Sequence, residues 1–224
     1  MSWSSGKDSA LALHHALAAG EVEVTGLLTT VNTEFERVAM HGVRRSLLEQ
    51  QAAALGLPLH VVDLPWPCSN EVYEQLMSTA VTAAVSAGVE TMVFGDLFLE
   101  DVRRYRKRML EGTGLRPLFP LWQRPTAELA RELIASGVRA VVTCVDRAQA
   151  PDALAGRWYD QDFLSELPAG VDQCGEHGEF HTVVVDGPDF SAAIPVTIGD
   201  TVVRDGFLFT DVIPAQGGHH AAER

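Results

Sequence analysis

A short extended segment runs directly into a polar turn and then a helix at the start of the chain. The turn reads Ser4-Ser5-Gly6-Lys7-Asp8-Ser9, and the apolar stripe of a helix follows it up to Gly20. The first turn of a helix has N–H groups without intrahelical partners and carries the positive end of the helix dipole. Gly6 lets the backbone approach an anion closely, and Lys7 adds a positive charge. The segment therefore predicts a phosphate-binding turn.

This turn differs from a Walker A loop, because Lys7 is followed by Asp8 where that motif requires Ser or Thr. An acidic side chain beside bound phosphate needs a role, and Asp8 could hold Mg²⁺ or cap the helix. The six residues resemble the Ser-Gly-Gly-Lys-Asp-Ser signature of the PP-loop ATP pyrophosphatases, which belong to the adenine nucleotide alpha hydrolase superfamily. Ser5 stands where that signature has its first glycine.

Strand-like and helix-like patterns alternate up to about residue 146. Helices are predicted over 7–19, 37–55, 71–87, 101–111 and 126–135. After the short first strand, further strands are predicted over 22–31, 59–64, 91–96 and 140–145. This alternation predicts an α/β fold with a doubly wound, parallel five-stranded sheet of the PP-loop, HUP-like type.

The pattern changes beyond residue 150, where short strands are broken by Gly-Asp and Asp-Gly turns. We therefore predict a PP-loop ATP-binding domain over residues 1–146 and a smaller, strand-rich substrate-binding lobe over 147–214. Residues 215–224 are expected to form a flexible tail.

Polar residues follow several of the predicted strands of the first domain. Ser4 to Ser9, Thr30 and the Gly95-Asp96 pair all lie where a strand ends. Ligands of open parallel sheets bind beyond the carboxyl ends of the strands. These residues are therefore expected to form one site.

Net charge and cysteine content exclude some classes of function for this chain. The net charge of −13 and the pI near 4.9 argue against a nucleic-acid substrate, since such proteins usually present a basic face. The three cysteines form no Cys-x-x-Cys pair, which favours a reducing cytoplasm and argues against a structural zinc site. Apolar runs are too short for a membrane span, so we expect a cytoplasmic protein without a membrane partner.

Three blocks together carry a more specific resemblance. They are Ser4 to Ser9, the stretch Gly95 to Arg103 leading to Pro117 to Trp122, and Cys174 to Thr182. The third block reads Cys-Gly-Glu-His-Gly-Glu-Phe-His-Thr and is the most specific. In order and spacing the blocks resemble the diphthine–ammonia ligase family over essentially the whole chain.

The resemblance implies ATP-dependent amidation. In that chemistry a carboxylate acceptor displaces pyrophosphate from ATP, and ammonia then displaces AMP. ATP and Mg²⁺ are the implied cofactors, with Asp8 and Asp96 as the metal ligands. Lys7, Asp8, Glu176 and Glu179 are the implied catalytic residues.

The implied ATP-binding residues are Ser4, Ser5, Gly6, Lys7, Asp8, Ser9, Thr30, Met40, His41, Gly95 and Asp96. Thr30, Met40 and His41 resemble the nucleoside-pocket positions of the family. Arg103 and Arg106 lie three apart on a predicted helix and share a face, so they could clamp either phosphate or the substrate carboxylate.

Two other functions remain open at this point. A PP-loop tRNA-modifying enzyme would need catalytic cysteines and a basic surface, whereas an ATP-binding sensor of the universal-stress type would not need the third block. The acceptor is also open. The Arg-rich, Lys-poor composition favours a bacterial-type member of the family, and hence a carboxylate acceptor other than diphthine, either a small molecule or a protein side chain. The sequence does not decide whether the chain forms a homo-oligomer.

Overall fold

The computed structural model describes residues 1–38 and 41–215. Met40, which the resemblance places in the nucleoside pocket, lies outside the described residues. The predicted tail does so as well, apart from its first residue.

Helices and strands alternate through the first half, and antiparallel strands dominate the second. The helices are α1 Lys7–Ala19, α2 Arg45–Leu55, α3 Asn70–Ser86, α4 Glu100–Leu110, α5 Thr126–Ala135 and α6 Gln161–Glu166, with a 3₁₀ turn at Asp152–Leu154. The strands are β1 Leu27–Asn32, β2 Arg37–Val38, β3 Leu59–Leu64, β4 Thr91–Val93, β5 Arg116–Leu118, β6 Arg139–Asp146, β7 Phe180–Asp186, β8 Val196–Arg204 and β9 Phe207–Pro214. α1 ends where Gly20 takes a left-handed conformation, and Ser69 caps the N-terminus of α3.

The first three residues join two groups of parallel strands into one layer. β1 pairs with β3, and β4 pairs with β5, both in parallel. Ser2 forms a parallel bridge to Leu28 of β1, and its N–H donates to Val93 O of β4 at 2.9 Å. The order across the layer is therefore β3, β1, residues 1–3, β4, β5.

Helices pack on both faces of this layer, because successive side chains of a strand point to opposite sides. Leu27 and Val93 face the large core cluster that includes α1 and α2. Their neighbours Leu28 and Phe94 pack in two smaller clusters that include residues of α3 and α4. The α/β class and the parallel sheet are thereby confirmed.

The second sheet is antiparallel, with the order β7-β6-β9-β8. The strand predicted over 140–145 forms as β6, but its assignment to the parallel sheet is wrong. Its residues from Ala140 to Val145 are all buried. A continuous apolar run suits a central parallel strand and equally a strand covered on both faces in an antiparallel sheet, so the pattern alone could not decide.

The helix predicted over 37–55 is also partly wrong. Residues Arg37–Val38 form β2, which pairs antiparallel with the end of β1, and the helix begins only at Arg45. The strand pairing of this segment overrides its helical pattern.

A single large core cluster runs from Met1 to Val212 and includes residues of both sheets. The division of the chain at residue 146 stays a prediction. No helix in the described ranges is long and apolar enough to cross a bilayer.

Candidate active site

The polar turn lies at the carboxyl end of the central segment, as the sequence predicts. Ser5 has a φ of 66°, in the left-handed region that glycine usually occupies, and Gly6 is the N-cap of α1. Ser5 is held from outside the turn, since its carbonyl accepts from Val184 N at 2.9 Å and from Gln51 Nε2 at 3.0 Å. The cost of this conformation is thus offset by contacts with distant parts of the chain.

Short hydrogen bonds hold the inside of the turn together. Ser9 Oγ donates to Gly6 O at 2.8 Å, and Ser4 Oγ donates to Ser9 Oγ at 3.2 Å. Lys7 N–H donates to Thr182 Oγ1 of β7 at 3.1 Å, so one N–H of the first helical turn is already bound. The turn is therefore arranged like a phosphate site. Thr182 of the second sheet contacts it from β7.

Gly95 brings the end of β4 against this turn. A Cβ atom at Gly95 would lie 3.0 Å from the carbonyl of Asp8 and 3.0 Å from Ser9 N. Asp96 follows, and its Oδ2 is buried without a hydrogen-bond partner, 3.6 Å from Arg106 Nε. Burial raises the pKa of Asp96, and the carboxylate of Asp8 adds to the effect, while Arg106 opposes it. The two predicted metal ligands therefore lie near each other.

The Lys7 side chain is buried, unlike that of a lysine whose only role is to bind phosphate at the surface. Its side chain is 2% exposed, and Nζ donates to both oxygens of Asp8 and to the carbonyl of Cys174. The ammonium group also lies over the rings of Tyr159 and Phe180, 5.5 and 5.6 Å from their centroids. Burial, the largest influence, lowers the pKa of Lys7, but the combined effects of Asp8, Cys174 and Glu176 outweigh it and the net shift is upward. Lys7 is therefore a buried cation that orients Asp8 and joins α1 to the third sequence block.

The two glutamates of the third block differ in their surroundings. Glu176 Oε1 accepts from Leu97 N at 3.0 Å and Phe98 N at 3.3 Å, so Glu176 lies against the loop that carries Asp96. Burial raises the pKa of Glu176 to about 7. This carboxyl group is thus poised to gain or lose a proton near neutral pH.

Glu179 has both carboxylate oxygens occupied. Oε1 accepts from Asp172 N and Oε2 from His177 N, each at 2.9 Å, and the residue is 3% exposed. These two hydrogen bonds hold together the loop that contains the third block. The geometry favours a role in holding the loop over a direct role in proton transfer.

His41 covers the glycine of the turn. Its Cε1 lies 3.1 Å from where a Cβ atom of Gly6 would be, and its ring is 4.7 Å from that of His181. Burial lowers the pKa of His41, and it lowers that of His181 to about 3. Both rings are therefore neutral at pH 7. Thr30 is half-buried on β1 in register with Val62, at the same edge of the sheet.

Arg103 and Arg106 lie on α4 and stack on aromatic rings. The guanidinium of Arg103 lies over Trp122 and that of Arg106 over Phe94. Both arginines are about a quarter exposed. The prediction that they share a face beside the site agrees with these contacts.

Sequence reasoning missed several residues that shape this site. Gln51, Tyr159 and Phe180 lie far from the turn in sequence and contact it only in the fold. Thr182 was inside the third block, and its hydroxyl could have signalled a contact to a helix start. Burial raises the pKa of the Cys174 thiol to about 12, which fits a structural role better than that of a nucleophile.

Two family models match the chain along most of its length. The N-terminal domain of diphthamide synthase matches residues 1–117, and the C-terminal domain of diphthamide synthase matches residues 125–210. The chain belongs to the diphthamide synthase family. The resemblance drawn from the three sequence blocks is thereby confirmed.

Curated relatives of this diphthamide synthase family member are similar over nearly the whole chain. The diphthine–ammonia ligase of Homo sapiens is 29% identical over 231 residues, covering 93% of this chain and 86% of its own length. The protein of the same name from Bos taurus is also 29% identical, with the same coverage. The one from Danio rerio is 27% identical over 230 residues, which cover 90% of its length.

The donor set of this family member fits Mg²⁺ better than a softer metal. Within residues 1–38 and 41–215, no three His, Cys, Asp or Glu side chains form a metal-binding group. Mg²⁺ usually takes one or two carboxylates together with substrate phosphates, and Asp8 and Asp96 supply two. The buried Asp96 oxygen without a partner fits a ligand to such an ion.

A cavity of about 940 Å³ lies elsewhere, at the amino ends of the strands. Its lining contains none of the predicted site residues. The functional site of the diphthamide synthase fold is therefore better located from the turn and its contacts than from cavity size.

Proposed function

We propose that this protein is an ATP-dependent amide ligase that adenylates a carboxylate and transfers ammonia to it. The observation that carries the proposal is the convergence of the Ser4–Ser9 turn, the Gly95–Asp96 strand end and Glu176 at one sheet edge. An anion site, two carboxylates for a metal and a carboxyl group with a pKa of about 7 are what this chemistry requires.

The phosphates of ATP bind at the start of α1. The backbone N–H groups of the first helical turn beyond Lys7 would donate to them, while Ser4, Ser5 and Ser9 shape the turn through their own hydrogen bonds. Lys7 contributes a buried positive charge. It also holds Asp8 in place, because its Nζ donates to Asp8 and to Cys174 O. His41 and Thr30, and Met40 outside the described residues, remain the proposed nucleoside-binding positions.

Asp8 and Asp96 would hold Mg²⁺. When bound, the ion neutralises charge on the phosphates during displacement. In its absence the negative charge of Asp8 contributes to the raised pKa of Asp96. Arg106 and Lys7 limit this repulsion, because each lies beside one of the two.

The reaction has two displacements. An acceptor carboxylate oxygen attacks the α-phosphorus of ATP, the bond from that phosphorus to the bridging oxygen breaks, and pyrophosphate leaves. Ammonia nitrogen then attacks the acyl carbon, the acyl–oxygen bond breaks, and AMP leaves with its electron pair. One proton is released from the nitrogen when the amide forms.

Glu176 is the proposed acceptor of protons from ammonium. Ammonium must lose a proton before its nitrogen can attack, and an ionised carboxylate that is partly desolvated binds the cation and takes the proton. Leu97 N and Phe98 N hold the Glu176 carboxylate in place by donating to its Oε1 atom. Glu179 is assigned to the same chemistry as a positioning residue, through the loop that it closes.

The acceptor is a separate question from the reaction. The curated relatives are named for diphthine, whereas the composition of this chain favours another carboxylate. A sensor without chemistry and a tRNA-modifying enzyme are both disfavoured by the match to both family models.

Product analysis of ATP turnover tests the proposed function. Purified protein, Mg-ATP and ¹⁵N-ammonium are incubated with small-molecule fractions, protein fractions and a diphthine-bearing protein. We expect AMP and pyrophosphate with one of these, ¹⁵N in its amide product, and a loss of roughly 100-fold in Asp8→Asn. Asp152→Asn, an exposed residue on a distant turn, is the matched control. ADP and phosphate as products would contradict the assignment.

A further inference from the structure

Buried polar atoms without hydrogen-bond partners gather beside the proposed ATP site. Within residues 1–38 and 41–215, such side-chain atoms are Thr29 Oγ1, Asp96 Oδ2, Arg103 Nε, Arg106 Nε and Trp122 Nε1. Arg103, Arg106 and Trp122 form what we call the arginine–tryptophan cluster. A buried donor without a partner costs free energy, and a ligand that accepts from it removes that cost.

Aromatic rings, and not hydrogen bonds, hold the two guanidinium groups. Arg103 lies 4.3 Å from the centroid of Trp122 and 5.4 Å from that of Phe119. Arg106 lies 5.3 Å from the centroid of Phe94, which stacks on Phe119 at 5.3 Å. Stacking uses the flat faces of the guanidinium groups and leaves their N–H edges free to bind a ligand.

The neighbouring carboxylates do not satisfy these donors. Glu100 is exposed and lies 3.9 Å from Arg103 Nη1, and Asp96 lies 3.6 Å from Arg106 Nε. Both distances exceed that of a hydrogen bond. The cluster therefore contains two planar cationic groups and an indole N–H, with Arg103 and Arg106 held only in long ion pairs to Glu100 and Asp96.

The arginine–tryptophan cluster lies next to the proposed metal ligand Asp96 and to the loop that Glu176 binds. Arg106 is beside Asp96, which follows the glycine that contacts Asp8 and Ser9. Glu176 binds the backbone of Leu97 and Phe98, just before α4. A group held by the cluster would thus lie between the ATP site and the proposed proton acceptor.

We propose that Arg103, Arg106 and Trp122 bind the carboxylate of the acceptor, and that they do not clamp the triphosphate. This inference rests on the proposed ligase function. The edge of a guanidinium group matches a carboxylate in a bidentate manner, and the Trp122 N–H adds a third donor. The surrounding Phe94, Phe119 and Trp122 rings suit the hydrocarbon part of an organic acid better than a strongly hydrated polyphosphate.

Tryptophan emission provides a direct binding test that needs no turnover. The protein is saturated with Mg²⁺ and AMP and titrated up to tens of millimolar with glutarate as the carboxylate probe or with pyrophosphate as the phosphate probe. Trp122→Phe identifies the signal that comes from the cluster. ATP affinity is measured separately for every variant.

We expect glutarate to change the emission of Trp122, and Arg103→Gln and Arg106→Gln to weaken that binding at least tenfold. ATP affinity should change less than twofold in Arg103→Gln, whose guanidinium group is not paired with Asp96. Arg103→Lys should fail to restore binding, because an ammonium group lacks the planar pair of donors. Arg104→Gln, on the exposed side of the same helix, is the matched control.

Two results would overturn this inference. A tenfold loss of ATP or pyrophosphate affinity in the arginine variants, with glutarate unaffected, would make the cluster a phosphate clamp. No response to either probe would make it a purely structural contact. Failure of AMP formation in all fractions, with glutarate binding intact, would count against the ligase function and not against the carboxylate site.

Discussion

Two glutamates three residues apart in one loop are given different properties by their surroundings. Glu179 accepts one backbone N–H on each oxygen, whereas Glu176 accepts both on a single oxygen and is close to Asp8. The family resemblance implied a catalytic role for both, and the glycine before each gives no local basis for telling them apart. Burial raises the pKa of Glu176, whose partners Leu97 and Phe98 lie far away in sequence, whereas Glu179 binds the nearby backbone of Asp172 and His177 and holds the loop.

The pH dependence of amide formation should report Glu176. Because only the ionised carboxylate takes a proton, kcat/KM should rise about tenfold per pH unit below the pKa of about 7 and level off above it. Glu176→Gln should remove this rise and lower the rate by roughly 100-fold, with ATP affinity retained. A variant that keeps the parent pH profile would show that another group titrates.

Stability measurements test the raised pKa of Glu176 independently of activity. Its pKa is raised from 4.5 to about 7 by folding, so the folded state binds the proton more tightly and the contribution of Glu176 to stability falls as pH rises through this range. Relative to the parent, Glu176→Gln should therefore gain on the order of 3 kcal/mol at pH 8 compared with pH 4. Thermal denaturation at both pH values measures this difference, and equal effects would contradict the raised pKa.

At the scale of elements, the active site depends on how closely the end of β4 approaches the start of α1. The strand and the helix were both predicted from their patterns, and both form. The distance between them was not predictable, because it is set by the absence of a side chain at Gly95. The β2 strand and the antiparallel position of β6 were missed for a related reason. Strand partners lie far away in sequence, and apolar runs do not identify them.

Gly95→Ala should disturb this contact. The new Cβ would lie 3.0 Å from backbone atoms of Asp8 and Ser9, which cannot move without shifting the phosphate turn. We expect a loss of about 1 to 3 kcal/mol in the free energy of unfolding and at least tenfold weaker ATP binding. Gly170→Ala is the control, because nothing lies within 4 Å of its added atom. Unchanged ATP affinity in Gly95→Ala, measured by calorimetric titration, would contradict the proposed site.

At the scale of the whole molecule, the two sheets are joined through buried polar contacts as well as the shared core. Gln51 of α2 is completely buried and connects three parts of the chain: Oε1 accepts from Trp3 Nε1, and Nε2 donates to Ser5 O and Val184 O. Asp211 of β9 binds both Arg37 and Arg44, and these arginines lower its pKa. The Ser4–Ser9 turn is thus part of the interface between the sheets.

This arrangement predicts that the described chain unfolds as one unit. Scanning calorimetry should show a single transition, with equal calorimetric and van't Hoff enthalpies. Gln51→Leu leaves the Trp3 indole N–H without its acceptor and should cost about 2 to 4 kcal/mol, while the transition stays single. Gln75→Leu makes the same change on the exposed face of α3 and should have little effect. Two resolved transitions in the parent would contradict a shared core.

The sequence by itself determined the phosphate turn, the α/β class and the family, because each depends on residues that are close together or on patterns that repeat locally. A helix start, a glycine and a lysine within six residues predict an anion site wherever the chain places them. Tertiary structure alone decided which sheet β6 joins, how Lys7 is enclosed, which glutamate has a pKa near 7 and which donors meet in the arginine–tryptophan cluster. These properties depend on burial and on hydrogen bonds between residues more than 70 positions apart, such as Lys7 with Cys174 and Glu176 with Leu97. Local sequence patterns carry no information about such distances.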